Sequence, residues 1–197
     1  MDISVEQIKE LRALTGAGVL DCRKALAASN GDIKKAVEWL KEKGMAIAAK
    51  KAGREAKEGI IGVYVHHDKK TAAMLELNCE TDFVARTDEF QNLARELAMH
   101  VVAAKPMYVS PDEIPAEEIE ATKEKFAKEA REAGKPENVV ERIVEGKMAK
   151  YYEEVCLLEQ PFVRDPDVKV KDLIKENIAR LGENIVVRRF ARFELGG

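Results

Sequence analysis

A short strand that ends in a polar turn constrains the fold of this chain more than any other segment. Leu75 and Leu77 alternate with polar residues, which is the pattern of a strand with one buried face. The alternation stops at a polar turn, residues 78–82, and the aromatic residue Phe83 follows at once. A large apolar side chain just beyond a strand end either packs under the sheet or faces a partner, and local sequence leaves both possibilities open.

The composition of other segments predicts that this strand belongs to a sheet. Residues 59–67 are rich in β-branched side chains, and a turn at residues 68–70 leads into the strand at residues 71–78. Residues 184–195 are apolar without one strict parity, which predicts a strand that bends or carries a bulge. We expect the three strands to form one antiparallel sheet.

Two helices are predicted to cover this sheet. Thr87 is the N-cap candidate of a helix with a long apolar face, and residues 170–181 form a second helix that Gly182 ends. His100 lies beside the apolar face of the first helix. It is either a histidine at the boundary of the core or a contact to a partner.

The N-terminal segment predicts a compact bundle of three short helices. Ser4 and Asp32 are the N-cap residues of the first and third helices, and Asn30-Gly31 ends the second. Gly44 is expected to end the third helix. This size is typical of ubiquitin-associated (UBA) bundles, which are binding modules, so we assign residues 1–45 to a UBA-like module.

A glycine-rich turn, Thr15-Gly16-Ala17-Gly18, separates the first two helices. No strand precedes the turn and no Gly-Lys-Thr or Gly-Lys-Ser follows it, so it is not a phosphate-binding loop. Val19 and Leu20 come next. They belong either to the core of the bundle or to a surface that meets a partner.

An antiparallel hairpin of two charged helices is predicted at about residues 115–160. Pro115 opens the first helix, and Gly134-Lys135-Pro136 reverses the chain into the second. Charges dominate the outer faces, so we expect the distal part to project into solvent. The predicted fold class is therefore α+β, with a basic connector at residues 46–58 and a core and dimerisation domain at residues 59–197 that contains the hairpin.

Charge and cysteine content exclude several classes of protein. The 33 basic and 36 acidic residues give a formal charge of -3, so we expect no direct contact with nucleic acid. The 3 cysteines are widely spaced, which favours reduced cytosolic thiols over a disulfide framework or a zinc site. No apolar stretch approaches the roughly 18 residues that span a bilayer, so we expect no membrane contact and a cytoplasmic protein.

No catalytic or cofactor-binding set stands out in the sequence. His66 and His67 lie at the tip of the predicted strand hairpin, and with 3 histidines in the chain we expect no metal site and no cofactor. Either histidine could approach Cys79 across the hairpin, so a thiol-dependent hydrolase is the alternative function. Asp82 is the remaining candidate acid, and an isolated loop aspartate is usually a turn or cap residue.

Several short motifs occur in a defined order along the chain. They are Thr15-Gly16-Ala17-Gly18, Ala48-Ala49-Lys50-Lys51-Ala52, Asn78-Cys79-Glu80-Thr81-Asp82-Phe83-Val84-Ala85-Arg86, Gly134-Lys135-Pro136 and Ile185-Val186-Val187-Arg188-Arg189-Phe190. Together they resemble the bacterial elongation factor Ts family, from near residue 3 to the C-terminus. The resemblance implies a guanine-nucleotide exchange factor that binds the translational GTPase elongation factor Tu, in its GDP-bound and nucleotide-free forms, and has no active site of its own.

The resemblance also implies how the motif Thr81-Asp82-Phe83-Val84 acts. Asp82 and Phe83 enter the GTPase domain of the partner. The phenylalanine wedges beside the helix that carries magnesium-ligand contacts, which displaces the metal and loosens the phosphate loop. Thr81 and Val84 complete the predicted partner-binding motif.

A second set of contacts is implied at the N-terminal bundle. Arg12, Val19 and Leu20 match positions that contact another helix of the GTPase domain. Many relatives have methionines in place of Val19-Leu20, so this chain keeps the apolar character of that contact with different side chains. We add His100 to the partner-binding candidates.

The length of the core implies a homodimer. This chain has one core module where longer relatives have two related ones, and it is similar to short members in which a second copy supplies the missing half. Some short relatives link the dimer through a cysteine in the C-terminal strand. Ala191 occupies that place here, so we expect no such disulfide.

Overall fold

The computed structural model describes residues 3–196, and this part of the chain is a mixture of helices and strands. The helices are α1 (Val5–Thr15), α2 (Val19–Ala28), α3 (Ile33–Lys51), α4 (Asp82–Ala85), α5 (Asp88–Ala104), α6 (Ala116–Glu132), α7 (Glu137–Val155) and α8 (Val170–Leu181). The strands are β1 (Glu58–Val65), β2 (Thr71–Cys79), β3 (Pro161–Phe162), β4 (Asp165–Lys169) and β5 (Val186–Glu194). None of the helices in the described part is long and apolar enough to cross a membrane.

The described chain divides into two compact units. The first unit comprises residues 3–60, 77–91 and 172–186. The second unit comprises residues 61–76, 92–171 and 187–196. Each unit is therefore built from segments that are far apart in sequence.

The main sheet has three strands in the order β1-β2-β5. The Asp68-Lys69-Lys70 turn joins β1 to β2, and the backbone N–H of His66 donates to the carbonyl of Thr71 across it. Along β2, alternate residues from Ala73 to Cys79 are buried, as the sequence pattern predicts. The predicted α+β class with a three-stranded antiparallel sheet is confirmed.

Helices α1 to α3 share a small apolar core in the first unit. A capping box starts α1, because the Ser4 hydroxyl accepts from the Gln7 N–H while the Gln7 side chain accepts from the Ser4 N–H. Asp32 caps α3 in the same way, at the N–H of Lys35. The fully buried residues of this core are Leu11, Cys22, Ala25, Leu26 and Ala36.

The prediction that Gly44 ends the third helix is wrong, since α3 continues to Lys51. The reason lies in helix packing within the first unit. A Cβ atom at position 44 would lie 3.3 Å from the Cβ of Ala179 on α8, so the glycine lets two helices approach closely. The helix ends where the Lys51 ammonium donates to the carbonyl of Gly182.

The second helix of the predicted hairpin, α7, ends at Val155 and not near residue 160. Its last residues pair with the segment that follows α5. The N–H of Met107 donates to the Val155 carbonyl at 2.8 Å, and Cys156 forms a parallel bridge with Tyr108. The chain leaves the helix because these extended contacts replace further helical hydrogen bonds.

A small antiparallel pair formed by β3 and β4 was not predicted from the sequence. Its second strand reads Asp165-Pro166-Asp167-Val168-Lys169, which has no apolar alternation to signal a strand. Pairing to β3, and not local propensity, defines it.

Gly62→Ala is expected to destabilise the second unit strongly. A Cβ atom at this position of β1 would lie 2.5 Å from the carbonyl oxygen of Ala94 on α5, so the strand backbone packs directly on the helix backbone. Overpacking of this kind costs about 3 kcal/mol. Urea unfolding followed by circular dichroism measures the loss.

Gly53→Ala is the matched control. Nothing lies within 4 Å of a Cβ atom at position 53, so this variant should unfold at nearly the wild-type urea concentration. Equal stability of Gly62→Ala and Gly53→Ala would show that β1 and α5 are not in close contact in solution.

Candidate partner-binding site

The side chain of Phe83 points into solvent. The side chain is 78% exposed, whereas its neighbours Ala85 and Phe90 are buried. It sits on α4, a single helical turn between the end of β2 and the start of α5. Phe83 therefore does not fill the core, and its ring is free to meet another molecule.

Hydrogen bonds from two threonines fix both ends of this turn. The Thr81 hydroxyl caps α4 by accepting from the Val84 N–H at 3.4 Å. Thr87, predicted as the cap of α5, accepts from the Phe90 N–H at 3.3 Å and donates to the Val84 carbonyl at 2.8 Å. The backbone that carries Phe83 is thus held from both sides.

Asp82 begins α4 and forms an ion pair with Arg86, at 2.6 Å between carboxylate and guanidinium. Both side chains are well exposed to solvent. Exposed pairs of this kind contribute less than about 1 kcal/mol, so the pairing leaves the Asp82 carboxylate accessible to a partner.

A carboxylate from elsewhere in the first unit lies under the turn. Glu183 accepts hydrogen bonds from the N–H groups of Glu80 and Thr81, at 3.1 and 3.0 Å, and from the Thr81 hydroxyl at 2.6 Å. Glu183 was not among the predicted site residues. It lies about 100 residues from the turn, in a short loop after α8, and no local pattern links the two segments.

Val19 and Leu20 are exposed, at 51% and 72%, so they do not belong to the core of the first three helices. Gly18 is the N-cap residue of α2, which places both side chains on its first turn. Arg12 on α1 is exposed as well. All three predicted contact residues of the bundle are therefore available to a partner.

Arg180 connects this region to the start of α5 within the first unit. A Cβ atom at Gly16 would lie 3.2 Å from the guanidinium carbon of Arg180, and Gly16 has a φ of 67°, which favours glycine. The same guanidinium donates to the Glu89 carboxylate at 2.7 Å. One side chain thus contacts the turn before Val19 and the helix that follows Phe83.

His100 is fully buried, with 0% exposure, so the prediction that it contacts a partner is wrong for the folded protein. Its Nδ1 accepts from the Val163 N–H at 3.1 Å, and its Nε2 lies 2.9 Å from the Gln160 side-chain oxygen. These two contacts require the neutral ring with the proton on Nε2. Burial lowers the pKa of His100.

The environment of Cys79 argues against a thiol-dependent hydrolase. The thiol is buried and donates to the carbonyl of Thr81 at 3.1 Å. Burial raises its pKa to about 11, and hydrolysis needs the thiolate. His66 packs against His67 at 4.2 Å between ring centroids, and within residues 3–196 no cluster of three or more His, Cys, Asp or Glu could hold a metal ion.

An exposed aromatic residue on a well-held turn, together with an exposed apolar pair, is typical of a surface that binds another protein. Comparison with known proteins gives the family. The family model described as "Elongation factor TS" matches residues 7–197, so the chain belongs to the elongation factor Ts family of translation factors, as the motifs predict.

Individual relatives support this assignment. A protein named elongation factor Ts from Herpetosiphon aurantiacus is 57% identical over 196 residues, which cover 100% of this chain and 99% of the relative. Those from Geobacter sulfurreducens and Fervidobacterium nodosum are each 53% identical over 196 residues, covering 100% of this chain and 91% and 100% of the relatives. The likeness therefore extends over both compact units.

Lowering the pH from 7 to 5 is expected to destabilise the protein through His100. The folded-state pKa lies below the ordinary value of 6.5, so the histidine stabilises the fold fully above pH 6.5. That stability is lost as the pH falls towards the lower folded-state pKa, because unfolding then takes up a proton. Thermal unfolding at several pH values measures the slope.

His100→Asn is the matched control, since its side-chain oxygen can still accept from the Val163 N–H. Its melting temperature should depend less on pH between 7 and 5 than that of the wild type. Identical slopes for the two proteins would contradict a buried neutral histidine.

Proposed function

We propose that this chain is a guanine-nucleotide exchange factor that speeds the release of GDP from the translational GTPase elongation factor Tu. Its family membership supports the partner. The observation that carries the mechanism is the 78% exposure of Phe83 on a turn fixed by its own hydrogen bonds. An aromatic side chain presented in this way is suited to entering a cleft in another protein.

Phe83 acts as a wedge, and the neighbouring Asp82 enters the GTPase domain beside it. The ring wedges beside the helix that carries magnesium-ligand contacts, which displaces the metal and loosens the phosphate loop. Burying the ring stabilises the complex by about 2 kcal/mol. By thermodynamic linkage, the exchange factor lowers the affinity for GDP by the same ratio by which GDP lowers the affinity for the exchange factor. GTP can then fill the emptied site and expel the exchange factor.

Arg12, Val19 and Leu20 supply a second contact to the GTPase domain. Val19 and Leu20 offer exposed apolar surface, and Arg12 adds a positive charge on the neighbouring helix. Thr81 and Val84 are partly buried and serve chiefly to hold the turn. Contacts at two places give the GTPase a defined orientation, which the wedge requires.

The protein acts as a homodimer. In the second unit, Ile61, Val63 and Val65 alternate along β1 and are half exposed, and Met74 on β2 is also exposed. The outward positions of an antiparallel sheet are usually polar, so an apolar row there favours cover by another surface. A second copy of the chain provides that cover without a disulfide, since Ala191 is not a cysteine.

Phe83→Ala is expected to slow the factor-stimulated release of GDP from elongation factor Tu by about tenfold or more, because the wedge is removed. The side chain is mostly exposed, so the melting temperature should change little. Release of fluorescent GDP, measured over a range of factor concentrations, tests both the proposed activity and the residue.

Met107→Ala truncates another exposed apolar side chain, in the second unit, and should keep the wild-type rate. If the wild-type protein does not accelerate release at all, the proposed function is wrong. If Phe83→Ala matches Met107→Ala, the wedge is wrong while the exchange activity stands.

Val63→Glu is expected to convert a dimer into a monomer, because two charges would be buried against an apolar face. Sedimentation equilibrium at micromolar concentration measures the mass. Val139→Glu places the same charge on an exposed residue of α7 and should leave the dimer intact. A wild-type protein that sediments only as a monomer would contradict the dimer.

A further inference from the structure

We infer that Glu183 is a positioning residue that holds the turn at residues 81–84 in the conformation that presents Phe83 to the partner. The inference rests on the proposed function of Phe83. Phe83 is exposed and makes no core contact that would fix the backbone beneath it. Burial of Ala85 and the bond from Thr87 hold the C-terminal end of the turn, and hydrogen bonds to the backbone and hydroxyl of Thr81 hold its N-terminal end.

The Glu183 carboxylate satisfies three donors of the strand end and the turn. One oxygen accepts from the N–H groups of Glu80 and Thr81, and the other accepts from the Thr81 hydroxyl at 2.6 Å. Hydrogen bonds to an ionised carboxylate are stronger than those between neutral groups. One side chain thus fixes the direction in which the chain leaves β2.

The bond to Thr81 also controls the cap of α4. A hydroxyl has a single proton, and Thr81 donates it to Glu183. A lone pair of the same oxygen is then directed at the N–H of Val84, at 3.4 Å. Without Glu183 the hydroxyl could rotate, and the first turn of α4 would lose the orientation of its cap.

A reciprocal set of contacts holds Glu183 in place. The carboxylate of Glu80 accepts from the N–H of Asn184 at 2.7 Å, and this hydrogen bond lowers the pKa of Glu80. The side chain of Asn184 is buried and donates to the carbonyl of Arg54 at 2.8 Å. Residues 80–81 and 183–184 therefore clasp each other through both backbone and side chains.

A turn that is already ordered does not have to lose conformational freedom when the partner binds. The clasp contains two acidic residues, Glu183 and Glu80. The Glu183 carboxylate accepts from the backbone N–H of Glu80, and the Glu80 carboxylate accepts from the backbone N–H of Asn184. The clasp thus converts the end of β2 and the loop after α8 into a rigid base for Phe83.

Glu183→Ala in the full-length chain is the direct test. At low factor concentration, where binding limits the rate, GDP release from elongation factor Tu should slow by about tenfold. At saturating factor the loss should be smaller, because Phe83 is still present once the complex has formed. Glu183→Gln keeps one acceptor oxygen and should lie between Glu183→Ala and wild type.

Amide hydrogen exchange provides a readout that does not depend on activity. In Glu183→Ala the N–H groups of Glu80, Thr81 and Val84 should exchange faster than in the wild type. Glu55→Ala removes the same charge from an exposed residue of the first unit and should change neither hydrogen exchange nor GDP release.

Combining the variant with Phe83→Leu, which retains part of the wedge, shows whether Glu183 acts through Phe83. The effect of Glu183→Ala should shrink to less than about twofold in that background. An equal loss in both backgrounds would mean a general structural role and would overturn the inference. Loss of activity in Phe83→Ala but none in Glu183→Ala overturns the inference alone, whereas full activity in both overturns the proposed wedge and the inference with it.

Discussion

The burial of one face of β2 is the constraint on which the turn that carries Phe83 depends. Ala73, Leu75, Leu77 and Cys79 are all inaccessible to solvent. Because side chains alternate along a strand, this pattern sets the register of β2 and the face of the sheet on which each of its side chains lies. The turn that follows is anchored at its first residues, so the Phe83 ring can be exposed to solvent without a core contact of its own.

Features fixed by neighbouring residues were predictable from the sequence. Ser4, Asp32 and Thr87 cap helices because their side chains reach an N–H group three residues away. Gly44 was wrongly predicted to end α3, because it keeps the helical conformation and leaves space for Ala179 on α8. The end of α7 depends on pairing with a segment that is distant in sequence.

In the candidate site, too, local motifs were predictable from the sequence and contacts between distant residues were not. The motif around Phe83 could be found from the sequence, but its exposure could not, because burial depends on how distant segments pack. Val19 and Leu20 posed the same choice. The role of Glu183 could not be predicted because its partners lie about 100 residues away. An acidic residue in a short loop also has no distinctive local pattern. The apolar pattern around His100 left two possible roles open, and its burial together with its contacts to Val163 and Gln160 decides between them.

The three cysteines carry a consequence for how the protein withstands oxidants. All of them are buried, and burial raises the pKa of each thiol, to about 11 for Cys79 and Cys156. With a raised pKa the thiols stay protonated at pH 7. Peroxides and disulfides react with the thiolate, so the Cys79 thiol at the start of the turn reacts slowly with them. Burial of the three thiols therefore makes the folded protein resistant to oxidation at its cysteines.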